Sequence, residues 1–172
     1  MAALLAGCQA ARIQQPPLTR QYGGNDDDSK FGFWDGIADR PLVSNDEAFH
    51  GLLLIKDQGD PANNYRDRVN VMKRSHYLPA DFNAPADEAV NRAILAYAIT
   101  QMFHIEGGLM MHLLGPTPRY ALLELQDMGM FPASSENQTF SGIEFVGIIS
   151  KIQDYQSGEL SGIPKPVSVG SP

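Results

Sequence analysis

The chain is poor in cysteine, in long hydrophobic runs and in basic residues. Cys8 is the only cysteine among 172 residues, which excludes an internal disulfide and a cysteine-based zinc site. No stretch approaches the roughly 20 apolar residues of a membrane-spanning helix. Thirteen Lys and Arg stand against twenty Asp and Glu, a net charge of −7. That balance argues against nucleic acid as a partner and against electrostatic attraction to anionic lipid.

Catalytic and metal-binding motifs are also missing. There is no Gly-x-Ser-x-Gly and no P-loop, and carboxylate pairs such as Asp87-Glu88 precede a helix start, where they favour the helix dipole. His104 and His112 flank a Gly-Gly break, and no His-x-x-x-His pair lies on a clear helix face. His76 lies on an apolar stripe, which favours a core histidine. We therefore expect no catalysis, no metal and no cofactor; an enzyme accessory or degenerate enzyme is the weakest alternative.

The run Leu5-Ala6-Gly7-Cys8 resembles the lipobox of bacterial lipoproteins. Small residues before the cysteine let the chain enter a signal peptidase, and the thiol then carries lipid. The resemblance assigns residues 1–8 to the remnant of a signal and a lipidated Cys8. Gln9, in place of the Asp that marks inner-membrane retention in enterobacteria, favours the outer membrane. The alternative is a chance Leu-Ala-Gly-Cys in a soluble protein with one buried cysteine.

Composition divides the rest of the chain into three parts. Residues 9–30 are polar and contain Asp26-Asp27-Asp28, which we interpret as solvated rather than as a calcium site, because EF-hand spacing is missing. We expect them to be a flexible tether. Residues 31–155 form one folded domain of ordinary core size, and the Gly- and Pro-rich residues 156–172 are expected to be disordered.

Capping patterns locate the helices of the folded part. Ser44 with Glu47, and Ser141 with Glu144, have the Ser-x-x-Glu spacing of a capping box. Asn91 is a third N-cap without the Glu. Apolar residues at i, i+3, i+4 and i+7 follow each cap, which predicts an amphipathic helix.

These helices belong to a repeat of about 50 residues. Before the second and third caps lies another amphipathic helix, which ends near Pro79 in one unit and Pro132 in the other. The segment Phe31–Gly36 stands for the front half of the first unit. Between the second and third units, residues 107–115 are predicted to form a short buried helix.

Three such units resemble the S-layer homology (SLH) domain. The closest stretches are Arg119–Leu125 and Thr139–Phe145. The resemblance implies an all-α fold for residues 31–155, with three helix–loop–helix repeats in a pseudo-threefold bundle. It also implies binding of cell-wall polysaccharide in grooves between repeats; some outer-membrane members of the family hold peptidoglycan.

One arginine keeps the ligand position of that family. In that family an Arg next to the cap helps to hold acidic glycan. The corresponding positions of the three units are occupied here by Asn45, Arg92 and Gly142. Arg92 is therefore the candidate ligand-binding residue. The alternatives for Arg92 are a solvent-facing side chain or a salt bridge with Asp87 or Glu88.

Trp34, the only tryptophan, is a second candidate ligand-binding residue. It can stack on a sugar face, and the alternative is a place in the core or in a hydrophobic staple.

The function expected from this resemblance is that of a lipid-anchored protein of the bacterial cell envelope, whose domain binds cell-wall polysaccharide or peptidoglycan non-covalently. The membrane is contacted through the lipid anchor only. The alternative is a lipoprotein subunit that docks onto a larger envelope complex without binding glycan. In that case Met110-Met111 is the candidate partner surface.

Overall fold

The structure, a computed structural model, describes residues 11–105 and 115–159. Within those ranges the chain is all-α, as expected, with two isolated β-bridges and no strand. The helices are α1 Thr19–Tyr22, α2 Asp27–Ala38, α3 Asn45–Asp57, α4 Tyr65–Arg74, α5 Arg92–Met102, α6 Pro118–Asp127 and α7 Gly142–Ser157. Three predicted features lie outside the described residues. They are Cys8, residues 160–172 and, except for Gly115, the expected helix at 107–115 with the Met110-Met111 surface.

The predicted caps are confirmed. Ser44 accepts a hydrogen bond from the Glu47 backbone N–H, and Glu47 accepts one from the Ser44 N–H, which completes the capping box of α3. Ser141 and Glu144 do the same for α7. Asn91 accepts from the Ile94 N–H and begins α5 without the return bond.

One hydrophobic core runs between the helices. α2 packs against α7, α3 against α4, and α5 against α6. The largest fully buried side chains include four phenylalanines, Phe33, Phe49, Phe140 and Phe145. Burial of this apolar surface is the main source of stability, at roughly 25 cal/mol per Å².

Backbone hydrogen bonds join the segments that carry the three caps. In each case the N–H of the residue after the cap donates to a carbonyl shortly before another cap. The pairs are Asn45 to Glu88, Arg92 to Gln138 and Gly142 to Arg40, each at 2.8 Å.

Gly142 has a close neighbour that explains its identity. A Cβ there would lie 1.6 Å from the Ile37 carbonyl oxygen, so no side chain fits. This is the position at which the SLH resemblance would place an arginine, and the backbone contact excludes one.

The N-terminal segment differs from the expected flexible tether. Residues 11–30 pack on the domain, and Leu18 and Tyr22 lie against the core. Leu18 approaches Gly36 and Tyr22 approaches Gly32, so closely that a Cβ at either glycine would lie under 3 Å from the side chain. The Leu18 N–H donates to Glu47 at 3.1 Å. The N-terminal segment is ordered because Gly32 and Gly36, one turn apart on α2, leave room for Tyr22 and Leu18 to pack there.

The Asp26-Asp27-Asp28 run is part of this ordered segment. Asp26 is the N-cap of α2 and accepts from the Ser29 N–H at 2.9 Å. The hydrogen bonds from Ser29 hold the pKa of Asp26 below its usual value. At the other end of the chain, α7 continues to Ser157 and ends at Gly158, whose φ is +75°, just inside the segment 156–172 that we expected to be disordered.

Candidate functional site

A polar cleft of about 700 Å³ lies between the N-terminal segment and the α3–α4 connection. One wall consists of α1 and its flanking residues, and the other consists of the residues around the start of α4. Asp46, Asp60 and Arg68 form its floor. The lining residues are Pro17, Thr19, Arg20, Gln21, Gly23, Gly24, Asn25, Asp46, Asp60, Ala62, Asn63, Asn64, Tyr65, Arg68 and Ala86.

Arg68 connects the floor. Its Nε donates to Asp60 Oδ2 at 2.6 Å, and its Nη1 donates to Asp46. Thr19 of the opposite wall donates its hydroxyl to Asp46. All three charged residues of the floor are buried. Buried charges need partners of this kind, since an unpaired one is strongly destabilising. The floor is therefore a fixed network that ties α1, α3 and α4 together.

His50 extends the network below the floor. Its Nδ1 lies 2.7 Å from Asp60 Oδ2, and its ring meets the ring of Phe33 edge-on at 4.7 Å between centroids. An ionised carboxylate only accepts hydrogen bonds, so His50 Nδ1 carries the donated proton. Its Nε2 is buried without a partner. Because His50 is fully buried, it orients Asp60 and does not meet solvent.

Asp60 is held in its charged form. Burial raises the pKa of Asp60. The hydrogen bond from His50, the charge of Arg68 and the hydrogen bond from the Ala62 N–H lower it by more than burial raises it, so the pKa of Asp60 lies below its usual value. Asn25 fixes the same loop from above. Its Nδ2 donates to the Asp60 carbonyl at 3.0 Å, and its Oδ1 accepts from the Asp60 N–H at 2.7 Å.

Tyr65 stands at the start of α4 and lines the cleft. Its hydroxyl donates to the Ala84 carbonyl at 2.7 Å. Burial, with the nearby charges of Asp46 and Glu88, raises the pKa of Tyr65 above its usual value. The residue is therefore a neutral phenol at physiological pH.

The rim of the cleft carries polar groups that are free to bind. Arg20, Gln21 and Asn63 are exposed. Within the described residues, the side chains of Arg20 and Asn63 make no hydrogen bond and no ion pair. A guanidinium and an amide at the mouth, above a fixed ionic floor, can hydrogen-bond to hydroxyl, amide and carboxylate groups of a ligand.

The structure places Arg92 away from this cleft. Its Nη2 donates to Glu144 at 2.8 Å, and its guanidinium lies 4.5 Å above the Phe140 ring. Arg92 is 6% exposed. The side chain thus joins α5 to α7, and its partner is Glu144 rather than Asp87 or Glu88.

Trp34 is half-buried and packs among aromatic rings. It stacks on Phe145 at 6.3 Å between centroids and meets Phe33 at 5.1 Å. This placement agrees with the core alternative. Trp34 contacts Phe33 and Phe145, whereas Arg92 contacts Glu144 and Phe140.

Sequence reasoning missed the residues of the floor, Asp46, Asp60 and Arg68, and it missed His50 below them. One local signal existed, since Asp46 and His50 are four residues apart on α3. His76 is exposed at φ +60°, past the end of α4, and not on the apolar face where the sequence placed it. In the described part of the chain, no group of three His, Cys, Asp or Glu residues is placed to hold a metal ion.

The chain matches no protein-family model, no curated protein and no solved structure. None of its described helices has the length and apolar character that crossing a membrane requires.

Proposed function

We propose that this protein is a lipid-anchored cell-envelope protein whose SLH-like helical domain binds peptidoglycan or another cell-wall glycan non-covalently, in the polar cleft. The observation that carries the proposal is the chemistry of the cleft. Its exposed rim offers Arg20 and Asn63, whose side chains have no partner among the described residues, and its volume of about 700 Å³ falls within the 300–1,000 Å³ typical of ligand sites. Glycans present hydroxyl, acetamido and carboxylate groups, which pair with such side chains.

The SLH-like arrangement has support in the backbone. Helices α2–α3, α4–α5 and α6–α7 form three successive helix–loop–helix units, each with a side-chain cap on its second helix. The hydrogen bonds after the caps run from the first unit to the second, from the second to the third, and from the third back to the first. A closed ring of equivalent bonds is the pattern that a pseudo-threefold bundle requires.

Anchoring at Cys8 is the second part of the proposal, and it rests on the lipobox resemblance. Cys8→Ser should abolish labelling by a fatty-acid analogue in growing cells and move the protein out of the membrane fraction. Unchanged labelling of the variant would show that the lipobox interpretation is wrong.

Glycan binding is tested by co-sedimentation of the chain with purified sacculi, before and after removal of attached polymers. The chain must include residues 11–25, because they form one wall of the cleft. Binding to stripped sacculi identifies peptidoglycan, and binding only to untreated sacculi identifies an attached polymer. If neither preparation binds the wild-type protein, the proposal fails.

A pair of variants locates the site. Arg20→Ala/Asn63→Ala removes from the rim two groups that have no partner among the described residues. It should weaken binding about thirtyfold, since each lost hydrogen bond contributes on the order of 1 kcal/mol. Arg66→Ala/Asn70→Ala removes the same chemistry from the exposed side of α4, outside the polar cleft, and should leave binding unchanged. Equal loss in both variants would exclude the cleft as the site.

A further inference from the structure

The outward side of α2 is a helix face that nothing in the described structure covers. The α2 face consists of Asp27, Asp28, Phe31, Asp35 and Asp39, all of which are exposed. At 3.6 residues per turn these positions fall within an arc of about 120°. The opposite side buries Phe33 and Ile37. The orientation of the face is thus fixed by the core.

This face departs from what helix stability favours in three ways. Asp35 and Asp39 lie near the C-terminal end of α2, where a negative charge opposes the helix dipole, and no basic residue stands in the last turn. The two are also a like-charge pair at i, i+4, which is unfavourable. Phe31 is 75% exposed between the carboxylates. Such local conflicts are expected where a surface serves a function.

The carboxylates of the face have no partners in the described part of the chain. Asp27, Asp28, Asp35 and Asp39 make no side-chain hydrogen bond and no ion pair there. The other exposed large apolar residues, Leu123 and Ile143, belong to other helices. A single partner with cations around an apolar side chain would offset all three departures at once.

We propose that the α2 face docks a basic segment of a second protein, with Phe31 in an apolar contact and the flanking aspartates paired with Lys or Arg. Charge complementarity selects this occupant. Nucleic acid and anionic lipid would be repelled by the face and by the net charge of −7. The surface is separate from glycan binding, because no residue of the α2 face lines the polar cleft.

The test measures fluorescence anisotropy of a labelled amphipathic peptide that carries lysines and leucines at helical spacing. A matched peptide with glutamates in place of the lysines is the first control. The full chain should bind the lysine peptide and not the glutamate peptide. Asp35→Lys/Asp39→Lys should weaken binding about tenfold, through lost pairing and new repulsion. Phe31→Ser should weaken it several-fold without lowering the melting temperature.

A charge-matched variant separates docking from long-range attraction. Asp57→Lys/Asp127→Lys makes the same change in net charge at the exposed last residues of α3 and α6. This variant should bind the lysine peptide within about twofold of wild type at 0.15 M salt, because charges more than about 8 Å apart are then largely screened. Equal loss in both double variants would overturn the proposal, as would peptide binding that Phe31→Ser leaves unchanged.

Stability and self-association give two further readouts. Lysines near the C-terminal end of α2 suit the helix dipole, whereas a like-charge pair at i, i+4 remains, so Asp35→Lys/Asp39→Lys should melt no lower than wild type. Its loss of binding then cannot come from unfolding. A wild-type dimer that Phe31→Ser dissociates would contradict the proposal, because a second copy would then cover the face. A marked drop in melting temperature for Phe31→Ser would also contradict it.

Discussion

Two buried arginines illustrate how differently single residues of the same type can act in this protein. Arg68 lies under the polar cleft and is paired with Asp46 and Asp60. Arg92 lies between two helices and has one carboxylate partner, Glu144, together with the face of an aromatic ring. The sequence singles out Arg92 through its position after a cap. No comparable pattern marks Arg68, because its partners Asp60 and Asp46 lie outside its own helix, 8 and 22 residues earlier in the chain.

Removing Arg68 should be among the most damaging single changes. Arg68→Met leaves Asp46 and Asp60 buried without their shared cation, and breaking a buried pair in this way costs about 3–5 kcal/mol. Urea denaturation at pH 7 measures the loss. Arg66→Met, an exposed neighbour on the same helix, should change the free energy of unfolding by less than about 0.5 kcal/mol. A loss below 1 kcal/mol for Arg68→Met would contradict the buried network.

Arg92→Ala should lower stability as well, because the side chain is buried against Glu144 and Phe140. We expect a loss of about 1–3 kcal/mol from the charged hydrogen bond and the cation–π contact. A double-mutant cycle with Glu144→Ala isolates the pair from the cap that Glu144 also forms. Strictly additive losses would mean that the two side chains do not interact.

Acid should weaken the protein through Asp60. Its folded pKa lies below the unfolded value near 3.8. The stability it contributes is therefore complete above about pH 4 and is lost as the pH falls through the folded pKa. Asp60→Asn should be less stable than wild type at pH 7 and should lose less free energy of unfolding between pH 7 and pH 3. Asp127→Asn, an exposed control, should keep the wild-type pH dependence. An unchanged acid dependence in Asp60→Asn would contradict this assignment.

At the scale of elements, the caps are where the sequence is most informative. Ser44, Asn91 and Ser141 begin α3, α5 and α7 as their spacing predicts. Capping is local chemistry within four residues, so it can be predicted without knowledge of the fold. In contrast, α1 has only four residues, and it is held by packing against glycines of α2. No local pattern predicts such a helix.

The cap of α7 gives a direct test at this scale. Ser141→Ala removes the acceptor for the Glu144 N–H and should cost about 1 kcal/mol. Ser150→Ala, at an exposed position in the middle of α7, should be neutral or slightly stabilising, because alanine is the better helix former. Thermal or urea unfolding compares the two. Equal effects would mean that α7 begins elsewhere.

At the scale of the whole molecule, the polar cleft could not be predicted from the sequence. It joins residues 17–25 to side chains of α3, of the following loop and of α4. The polar composition of the N-terminal segment is that of a tether, and its ordering depends on long-range contacts such as Asn25 with Asp60. The all-α class and the capped helices were predictable, since they follow from periodicity. The site was not, since it follows from tertiary pairing.

Truncation tests the structural role of the N-terminal segment. A chain that begins at residue 26 loses Leu18, Thr19 and Asn25, and with them the wall of the cleft, and should melt several degrees lower than the full chain. A chain that begins at residue 11 keeps all of these contacts and should melt as the full chain does. If both truncated chains melt alike, residues 11–25 do not pack as described.

An NMR titration of the isotope-labelled protein with soluble peptidoglycan fragments tests glycan binding in the polar cleft most directly. If the protein binds only untreated sacculi, fragments of the attached polymer replace the peptidoglycan fragments. Binding in the cleft predicts saturable shifts of backbone amides in residues 19–25 and 60–68, with little change around Arg92 and Trp34. Saturable shifts confined to the surroundings of Arg92 and Trp34, or no shifts at all, would contradict the assignment of the cleft as the glycan site.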